Sequence, residues 1–356
     1  MKKLQNKNIL VTGGAGFVGS NLVKMLLTQN TNQVTVVDNL MSSEKFNLPD
    51  DKRINFLEGS ITSQNILDKI KDEYTYIFHL ATFHGNQSSI HDPLKDHENN
   101  TYTTLRLFEW IKNFKKTQKI VYSSAGCSVA EKTFNEVLAT EEKEYTSIKH
   151  DSPYSISKMI GEFYSVYYYN QHHLPTVRAR FQNVYGPGEV LGAGQWRGTP
   201  ATVWRNVTPT FIYKALKGLP LPLENNGIAS RDFIYVDDIC RGLISCAVNG
   251  KPGDVYNLAS GVETSILELT TCINKLTGNK GGIEHLPKRP WDNSGKRFGS
   301  TGKAKKEIGF EVLIKLEDGL KATIDWSKKN MDRIESCIHK HDTHINTDNL
   351  LLEKSK

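Results

Sequence analysis

The sequence has few cysteines and no long apolar run. Its 356 residues include five cysteines, an odd number without a CxxC pair, which argues against a disulfide framework and against a zinc site. No apolar stretch approaches the ~18 residues that a membrane-spanning helix needs. The N-terminal segment carries glycines at 13, 14, 16 and 19, which makes a poor secretory signal. We therefore expect a cytoplasmic protein with no metal site and no membrane partner.

The sequence also has only a small excess of positive charge. A formal net charge of +6 is too small to indicate a nucleic-acid-binding protein. The excess is unevenly distributed, because residues 288–306 hold seven lysines and arginines against one acid, Asp292. This pattern favours an anionic small molecule as the partner, although a solvated basic face has the same composition.

The first half of the sequence has the pattern of an α/β protein. Short apolar segments alternate with helical patterns, which predicts a parallel sheet with helices on both faces. The predicted strands are residues 8–12, 34–37, 76–78, 119–123 and 176–181, and the predicted helices are residues 17–27 and 101–114. At about 150 residues per domain, the chain has room for a second domain. The prediction is a Rossmann-type doubly wound parallel sheet with a smaller α+β domain after it.

The character of the sequence changes after residue 185. Residues 186–209 contain five glycines, three prolines and two tryptophans without a clear period, which indicates a long functional loop. A helix at 210–217 follows, and segments 232–236 and 255–258 are predicted to return to the sheet. Ser265 and Glu268 form a capping-box pattern for a helix that ends near Gly278. The predicted division is a first domain at 1–185, to which 230–262 returns, a second at 186–338, and a frayed polar tail at 339–356.

A glycine-rich turn joins the first predicted strand to the first helix. The sequence TGGAGFVG (12–19) lets the backbone turn tightly and approach a diphosphate, which then lies at the positive end of the helix. Asp38 closes the second strand, 19 residues beyond Gly19. A carboxylate in this position accepts hydrogen bonds from the ribose hydroxyl groups of adenosine and repels a 2′-phosphate. The pattern therefore predicts a dinucleotide site that takes NAD in preference to NADP.

Tyr154 and Lys158 are the candidate catalytic pair. Ser152 and Pro153 are typical of a helix N-terminus, and residues four apart in that helix meet on one face. Tyrosine has an ordinary pKa of about 10, and a neighbouring ammonium group favours the phenolate, which makes tyrosine usable as a base. Tyr-x-x-x-Lys alone is a common pattern. The aromatic residues at 163–169 are interpreted as packing or as a helix–helix dimer interface.

Several motifs occur together in a fixed order. They are VTGGAGFVGSNL (11–22), IFHLAT (77–82), VYSS (121–124), YSISK (154–158), RFQNVYGPG (180–188), SRDFIYVDD (230–238) and YNLASG (256–261). From about residue 7 to residue 326 the chain resembles the extended short-chain dehydrogenase/reductase family, and within it the nucleotide-sugar epimerases and dehydratases. The resemblance implies an enzyme whose first domain holds NAD and whose second domain holds a nucleotide-diphosphate sugar.

The resemblance assigns residues to three groups. The implied catalytic residues are Ser124, Tyr154 and Lys158, with Cys127 as a further candidate. The implied cofactor-binding residues are Gly13, Gly16, Phe17, Val18, Gly19, Asp38, Asn39, Ser60, Ile61, Leu80, Ala81, Thr82, Asn100, Tyr154 and Lys158. The implied substrate-binding residues are His84, Ser124, Asn183, Arg197, Arg205, Arg231, Arg289 and Arg297. Ser60 is a departure, because the family often has an aspartate there that recognises adenine.

The residues after Ser124 bear on the reaction, because members of the family share the oxidation at C4 and differ in the steps after it. The 4,6-dehydratases carry Thr-Asp-Glu at this strand end, whereas this chain has Ala125 and Gly126, and the 186–209 loop offers only Glu189 as a replacement acid. The 3,5-epimerases that act on GDP-mannose carry a cysteine here. Cys127 lies one residue late for that role, and a small buried thiol is the alternative interpretation.

Inversion at C4 needs only Ser124, Tyr154, Lys158 and tightly held NAD, so the sequence favours C4 epimerisation of a nucleotide-diphosphate hexose. A 3,5-epimerase using Cys127 and a dehydratase, decarboxylase or 4-ketoreductase stay open as alternatives. The Tyr–Lys pair disfavours a non-catalytic NAD-binding regulator. Arg297 is expected to join the diphosphate clamp or to favour a sugar carboxylate. We expect a homodimer through the helices around 100–114 and 154–170.

Overall fold

The computed structural model describes residues 2–129, 133–143, 150–288 and 295–345, except the side chains of Lys2 and Cys127. Seven of the strands in these ranges form one parallel sheet in the order β11-β6-β5-β4-β1-β2-β3, which confirms the predicted Rossmann-type fold. The edge strand β3 had no sequence prediction. The strands are β1 (Asn8–Thr12), β2 (Gln33–Asp38), β3 (Ile54–Glu58), β4 (Tyr76–His79), β5 (Lys119–Ala125), β6 (Thr176–Phe181), β7 (Asn183–Tyr185), β8 (Leu221–Glu224), β9 (Ser230–Arg231), β10 (Phe233–Tyr235), β11 (Val255–Leu258), β12 (Thr264–Ser265) and β13 (Ile283–Leu286).

The helices alternate with the strands of the central sheet and then gather in a second layer. A π-helical segment, His97–Tyr102, joins α4 to α5. None of the helices in the described ranges is long and apolar enough to cross a membrane. The helices are α1 (Phe17–Thr28), α2 (Gln64–Leu67), α3 (Asn86–His91), α4 (Pro93–Asp96), α5 (Thr103–Ile111), α6 (Pro153–His172), α7 (Val207–Leu216), α8 (Val236–Asn249), α9 (Ile266–Thr277), α10 (Gly302–Ile308), α11 (Leu316–Lys329) and α12 (Met331–His339).

Each face of the central sheet has its own apolar core. Val11 of β1 packs on one face with Leu243 of α8. The preceding residue, Leu10, packs on the other face with Phe108 of α5 and Tyr168 of α6. Because successive side chains of a strand point to opposite faces, a strand covered on both sides reads as a continuous apolar run. This is why the inner strands were predictable from the sequence.

In the part of the chain that the structure describes, three pairs of strands lie outside the central sheet: β7 with β10, β8 with β13, and β9 with β12. The prediction that segment 232–236 returns to the central sheet is wrong, since β10 pairs in parallel with β7. The physical reason is that the edge of β6 is already paired with β11, so β10 finds its partner in the chain that leaves the sheet after Gln182. The prediction for 255–258 is confirmed by β11.

The second layer has a separate core between α7, α9 and α11. Phe211, Leu269 and Leu320 are buried in it. The predicted capping box is present at the start of α9, where Ser265 and Glu268 exchange hydrogen bonds of 3.1 and 2.7 Å, and the helix ends before Gly278. The division of the chain into two domains stays a prediction.

The 186–209 loop is fastened to the chain that follows β2. Apart from a short 3-10 turn at Pro200–Thr202 and the start of α7 at Val207, this loop is irregular. Its Gln195 N–H donates to the carbonyl oxygen of Met41 at 2.9 Å, and the N–H of Gly194 donates to Glu44 at 2.9 Å. The loop is therefore a fixed part of the structure.

The C-terminal segment covers the same loop from outside. The ring of Trp196 stacks on His344 with centroids 4.7 Å apart, and Nε2 of His341 lies 2.8 Å from the carbonyl oxygen of Gly192. His341 and Ile345 are buried. The prediction that residues 339–356 form a frayed tail is wrong for its described part, up to Ile345, because the loop supplies an aromatic surface that the sequence pattern did not reveal.

Candidate active site

A cavity of about 780 Å³ opens at the C-terminal ends of β1, β2, β4 and β5 and extends to α7 and α9. Ligands of parallel α/β sheets bind at this edge. Most of the predicted site residues line this cavity. They are Gly13, Gly16, Phe17, Val18, Gly19, Asp38, Asn39, Ser60, Ile61, Leu80, Ala81, Thr82, His84, Ser124, Tyr154, Lys158, Asn183, Arg205, Arg231 and Arg297.

Four predicted residues are not part of the cavity wall as described. Asn100 and Arg197 are buried behind the wall. Arg289 and the side chain of Cys127 lie outside the described residues, so their predicted roles stay predictions.

The turn between β1 and α1 and the first turn of the helix have no room for a side chain at Gly13 or at Gly19. Gly13 has a φ of +73°, and a Cβ atom on it would lie 2.6 Å from the backbone nitrogen of Ala81. A Cβ atom on Gly19 would collide with the carbonyl oxygen of Gly13. Helix α1 begins at Phe17 without an acidic residue in its first turn. A close backbone and a helix N-terminus suit a diphosphate, so these residues fit the predicted NAD.

The carboxylate of Asp38 ties the end of β2 to this turn. Its Oδ2 accepts a hydrogen bond from the N–H of Ala15, and its Oδ1 accepts from the N–H of Leu40 and the hydroxyl of Ser43, all at 2.9 Å. Burial raises the pKa of Asp38, and these hydrogen bonds offset only part of that rise. An ionised carboxylate has about four lone-pair sites, so Asp38 retains capacity for a ribose hydroxyl.

Tyr154 and Lys158 meet at the start of α6, as predicted. The Ser152 hydroxyl caps the helix by accepting from the N–H of Ser155 at 3.3 Å. Lys158 is buried, and its Nζ donates to the carbonyl oxygen of Ser123 at 2.9 Å. The same ammonium lies 5.8 Å from the centre of the Tyr154 ring. The geometry supplies the positive charge beside the phenol that a tyrosine base requires.

Ser124 has a partner that the sequence reasoning missed. Its hydroxyl donates to Oε1 of Glu162 at 2.5 Å, and Glu162 is buried and paired with Arg180 at 2.8 Å. The signal was present in the sequence, because Glu162 follows Lys158 by four residues and therefore shares its helix face with Tyr154.

Asn100 supports the cavity wall from behind. Its side-chain oxygen accepts from the N–H of Phe83 at 2.6 Å and from the hydroxyl of Thr82 at 2.9 Å. Its amide nitrogen donates to Asp96 at 2.7 Å and to Ser157 at 3.2 Å. Burial raises the pKa of Asp96 to about 6. Asn100 thus joins the loop after β4 to α6 and acts through its neighbours.

His84, Arg197 and Arg205 form a positively charged corner. The Arg197 Nη1 donates to the hydroxyl of Ser42 at 2.5 Å, and the Arg205 Nη1 donates to the Ser42 carbonyl oxygen at 3.0 Å. Burial, followed by the charges of these two arginines, lowers the pKa of His84 to about 3. The His84 ring meets the Tyr154 ring edge-on, with centroids 5.7 Å apart. His84 is therefore an uncharged side chain that lines the cavity beside Tyr154, the candidate base.

Gln182 occupies the place where a side chain at position 126 would project. A Cβ atom on Gly126 would collide with the amide of Gln182, whose side chain also lines the cavity. Sequence reasoning had no local signal for this contact, because the two residues lie on different strand ends. A side chain at position 126 requires the amide of this glutamine to move.

Glu189 is the acidic residue that the 186–209 loop brings to the cavity. It is buried, its Oε1 accepts from the amide of Asn206, and its Oε2 has no hydrogen-bond partner among the residues that the structure describes. Burial raises the pKa of Glu189 to about 7, while Asn206 and Arg205 lower it. Glu189 is thus a carboxyl group that exchanges a proton near neutral pH.

The cavity wall also carries the basic residues Arg231, Lys288 and Arg297. Arg231 is held by two carbonyl oxygens, of Ser230 and Gly295, each 2.6 Å from its Nη1. Lys288 lies over the ring of Phe134, 4.8 Å from its centre, and Arg297 is buried in the same wall. Guanidinium groups bind phosphate oxygens in pairs, so this wall suits a diphosphate.

Comparison with known proteins agrees with this geometry. The model of the NAD dependent epimerase/dehydratase family matches residues 9–259. The chain belongs to this family. It is an enzyme family whose members use NAD, and NAD is the cofactor of this chain.

Solved structures of the family superpose over nearly the whole chain. The Bordetella bronchiseptica enzyme WbmF in complex with NAD+ is 60% identical, with 97% of this chain and 99% of that chain covered and a TM-score of 0.87. A second WbmF structure contains NAD+ and UDP. UDP-glucose 4-epimerase from Thermotoga maritima, with UDP-glucose, is 30% identical, with 91% and 99% covered and a TM-score of 0.81.

A curated relative points the same way. The putative UDP-glucose 4-epimerase of Methanocaldococcus jannaschii is 29% identical over 323 residues, which are 90% of this chain and 99% of that protein. The family includes both epimerases and dehydratases, so membership alone leaves the individual reaction open.

Proposed function

We propose that this enzyme inverts C4 of a nucleotide-diphosphate hexose through a transient 4-keto sugar. The observation that carries the proposal is the pair Tyr154 and Lys158 at the cavity, next to a strand end whose residues Ala125 and Gly126 carry no carboxylate. Ala125 and Gly126 stand where the resemblance places the two acids of a dehydratase, and the amide of Gln182 occupies the space beside Gly126. The site therefore has the groups for oxidation and reduction at C4 and none at that strand end for elimination.

NAD is proposed to lie along the C-terminal edge of the central sheet. The glycines at 13, 16 and 19 take the diphosphate, Asp38 takes the adenosine ribose, and Leu80 to Thr82 form the wall behind the cofactor. Bound NAD supplies the acceptor for the hydride that leaves C4 and the donor that returns it. The carboxylate of Asp38 repels a 2′-phosphate, which supports NAD over NADP.

The proton at the 4-oxygen is handled by Tyr154. As phenolate, Tyr154 takes the hydroxyl proton while the C4–H bond breaks, and the electrons of the O–H bond form the C=O double bond. Lys158 stabilises the phenolate by its charge. After the 4-keto sugar turns its other face to the cofactor and hydride returns to C4, Tyr154 gives the proton back to the oxygen. Ser124 contacts the same oxygen.

The proposed substrate is a UDP-hexose. Asn183, Arg231 and Arg297 are proposed to hold its diphosphate, with the sugar directed towards Tyr154. Two observations support UDP: WbmF binds UDP, and the Thermotoga maritima epimerase binds UDP-glucose. The identity of the sugar is left to experiment.

The test is incubation of the purified protein with UDP-, GDP-, CDP- and dTDP-hexoses in deuterated water, followed by NMR. The proposal expects an inverted C4 without deuterium on carbon in one of the UDP-sugars. Deuterium at C3 or C5 of the product contradicts a simple C4 epimerase, since that reaction exchanges no carbon-bound hydrogen with solvent.

Glu189 supports a second candidate function. A buried carboxyl group with one free oxygen at the cavity can move a proton at a carbon next to the 4-keto group, as epimerisation at C3 or C5 or a later elimination requires. In that case deuterium enters the product, and Glu189→Gln abolishes its entry while leaving oxidation at C4 intact. If deuterium still enters the product of Glu189→Gln, another group carries out the proton transfer. Cys127→Ala is then the next variant to test.

A homodimer through α5 and α6 is also proposed. Phe163 and Tyr167 of α6 are 62% and 52% exposed, and Tyr102, in the π-helical segment that packs against α6, is 41% exposed. Such a cluster of exposed aromatic residues is typical of an interface. Sedimentation is expected to show that the parent protein is a dimer. Phe163→Glu is expected to dissociate this dimer, whereas Ile228→Glu, at an exposed position elsewhere, is expected to leave it intact. A monomeric parent protein contradicts this proposal.

A further inference from the structure

The hydroxyl group of Ser124 has only one proton, and that proton is engaged. It points to Oε1 of Glu162 at 2.5 Å, a distance typical of a strong hydrogen bond to a charged oxygen. Both residues are about 2% exposed, so water does not compete for the bond. The side of the Ser124 oxygen that faces the cavity therefore carries lone pairs.

Glu162 is held in place from three directions. Arg180 donates to both of its oxygens, from Nε to Oε1 at 2.8 Å and from Nη2 to Oε2 at 2.9 Å. Arg178 adds a bond of 3.4 Å to Oε2. Burial alone raises the pKa of Glu162, but the hydrogen bonds and charge of Arg180, together with Ser124, bring it below the ordinary value. Glu162 is consequently an ionised group that only accepts.

The backbone fixes this arrangement. Ser124 of β5 lies opposite Arg180 of β6 in the parallel pairing, and Glu162 lies one helical turn beyond Lys158 on α6. Strand pairing and helix periodicity thus bring the hydroxyl, the carboxylate and the guanidinium together without any loop. None of the three depends on the bound sugar for its position.

We propose that Glu162 is a positioning residue that accepts the hydrogen bond of the Ser124 hydroxyl. Ser124 keeps its proton but serves the sugar only as a hydrogen-bond acceptor. The inference rests on the proposed function for the identity of the ligand oxygen. A sugar 4-hydroxyl has one proton, which Ser124 and the Tyr154 phenolate both accept, and this shared hydrogen bond holds the alcohol until Tyr154 takes the proton. A 4-keto oxygen has no proton to give and receives no hydrogen bond from Ser124. The site therefore distinguishes the alcohol from the ketone, and the ketone is left free to turn.

The test compares the binding of an alcohol and of a ketone in protein that cannot turn over. Every variant carries Tyr154→Phe and bound NAD, and calorimetry measures Kd for UDP-glucose, for UDP-4-keto-6-deoxyglucose and for UDP as the reference. Ser124→Ala is expected to weaken UDP-glucose about five- to tenfold, the effect of one hydrogen bond, and to leave the ketone unchanged. Equal weakening of both sugars, or of neither, overturns the proposal.

Glu162→Gln gives a second test. A merely structural role of Glu162 would leave the affinity for the ketone unchanged. In Glu162→Gln the amide nitrogen is expected to take the place of Oε1, where it meets one arginine donor, and not of Oε2, where it would meet two. There it donates to Ser124 and frees the hydroxyl proton, so the ketone is expected to bind several-fold more tightly. This gain is expected to vanish when Ser124→Ala is added. A gain that persists without the hydroxyl contradicts positioning through Ser124. If Glu162→Gln does not fold, Ser124→Ala alone decides, because its selective effect on the alcohol is required.

The outcome is separate from that of the proposed function. Failure of C4 inversion is seen in the parent enzyme by NMR, whereas this test measures equilibrium binding in protein without turnover. If neither sugar binds more tightly than UDP in the Tyr154→Phe protein, the sugar does not meet Ser124 and the inference is wrong.

Discussion

The ammonium nitrogen of Lys158 lies 5.8 Å from the centre of the Tyr154 ring, one helical turn further along α6. Its hydrogen bond of 2.9 Å to the Ser123 carbonyl oxygen fixes the ammonium against β5. Because Lys158 is buried, its charge acts on the phenol with little screening by water. The assignment of Tyr154 as the catalytic base depends on this nearby charge of Lys158.

Removal of either member of the pair is expected to stop the chemistry. The glycines of the β1–α1 turn and Asp38 are expected to hold NAD without that residue's own contact to the cofactor. Tyr154→Phe and Lys158→Met are each predicted to lower kcat about 10²- to 10⁴-fold, the contribution of a positioned acid–base group, with NAD still bound. Steady-state kinetics and cofactor release measure both quantities. Tyr164→Phe, on the same helix and outside the cavity, is the control. A Tyr154→Phe protein with more than a third of parent activity contradicts the assignment.

Asp38 is expected to set the choice of cofactor. Asp38→Asn removes the charge that repels a 2′-phosphate, so the preference for NAD over NADP is predicted to fall at least about tenfold. Competition binding to protein freed of cofactor measures the ratio, with exposed Asp50→Asn as the control. An unchanged ratio shows that Asp38 serves only the turn, through Ala15 and Ser43.

Gly126 is expected to take a side chain only when Gln182 moves. Gly126→Ala places a methyl group in the volume of the Gln182 amide, which is the flexible end of its side chain, so we predict a loss of about 1 kcal/mol in the free energy of unfolding, the low end for an overpacked site. Chemical denaturation measures it. Gly302→Ala, whose new Cβ would meet its nearest neighbour at 3.8 Å, is the matched control. The double variant Gly126→Ala/Gln182→Ala is expected to regain the lost free energy of unfolding. If it does not, the destabilisation does not come from the contact with Gln182.

Glu189 is expected to make stability depend on pH. Its pKa is raised to about 7 by burial, above the unfolded value of about 4.3. The stabilisation by its proton is fully present below the unfolded pKa and is lost as pH rises through 7. Relative to the parent, Glu189→Gln is therefore predicted to be about 1–3 kcal/mol more favourable at pH 8 than at pH 5.

Denaturant unfolding of the NAD-loaded protein at the two pH values measures this difference. Exposed Glu58→Gln is the control and should behave as the parent does at both. If the Glu189→Gln difference is the same at pH 5 and pH 8, the Glu189 carboxyl is ionised throughout and cannot exchange a proton near neutral pH.

The sequence predicted those parts of the site that depend on local geometry. The glycine-rich turn, Asp38 at the end of β2 and the Tyr154–Lys158 pair each follow from a strand end or a helix period. Glu162 follows from the same period and was overlooked, because a buried carboxylate is explained only by its arginine partner on β6.

The parts that the sequence did not predict depend on contacts between distant segments. Gln182 fills the space beside Gly126 because two strands end side by side, and β10 leaves the central sheet because β11 already occupies its edge. The C-terminal segment packs because Trp196 lies on the loop beneath it. No periodicity within one segment encodes such pairings.

The fate of the hydrogen at C4 tests most directly the central claim, that C4 is inverted by removal and return of the same hydride. A UDP-hexose carrying deuterium at C4 is incubated with the enzyme and its bound NAD in ordinary water, and the product is examined by NMR. We predict a product with inverted C4 that keeps the deuterium at C4, since Tyr154 moves only the hydroxyl proton and the same hydride returns. Inversion with loss of the label to solvent, or a label retained without inversion, would contradict the account.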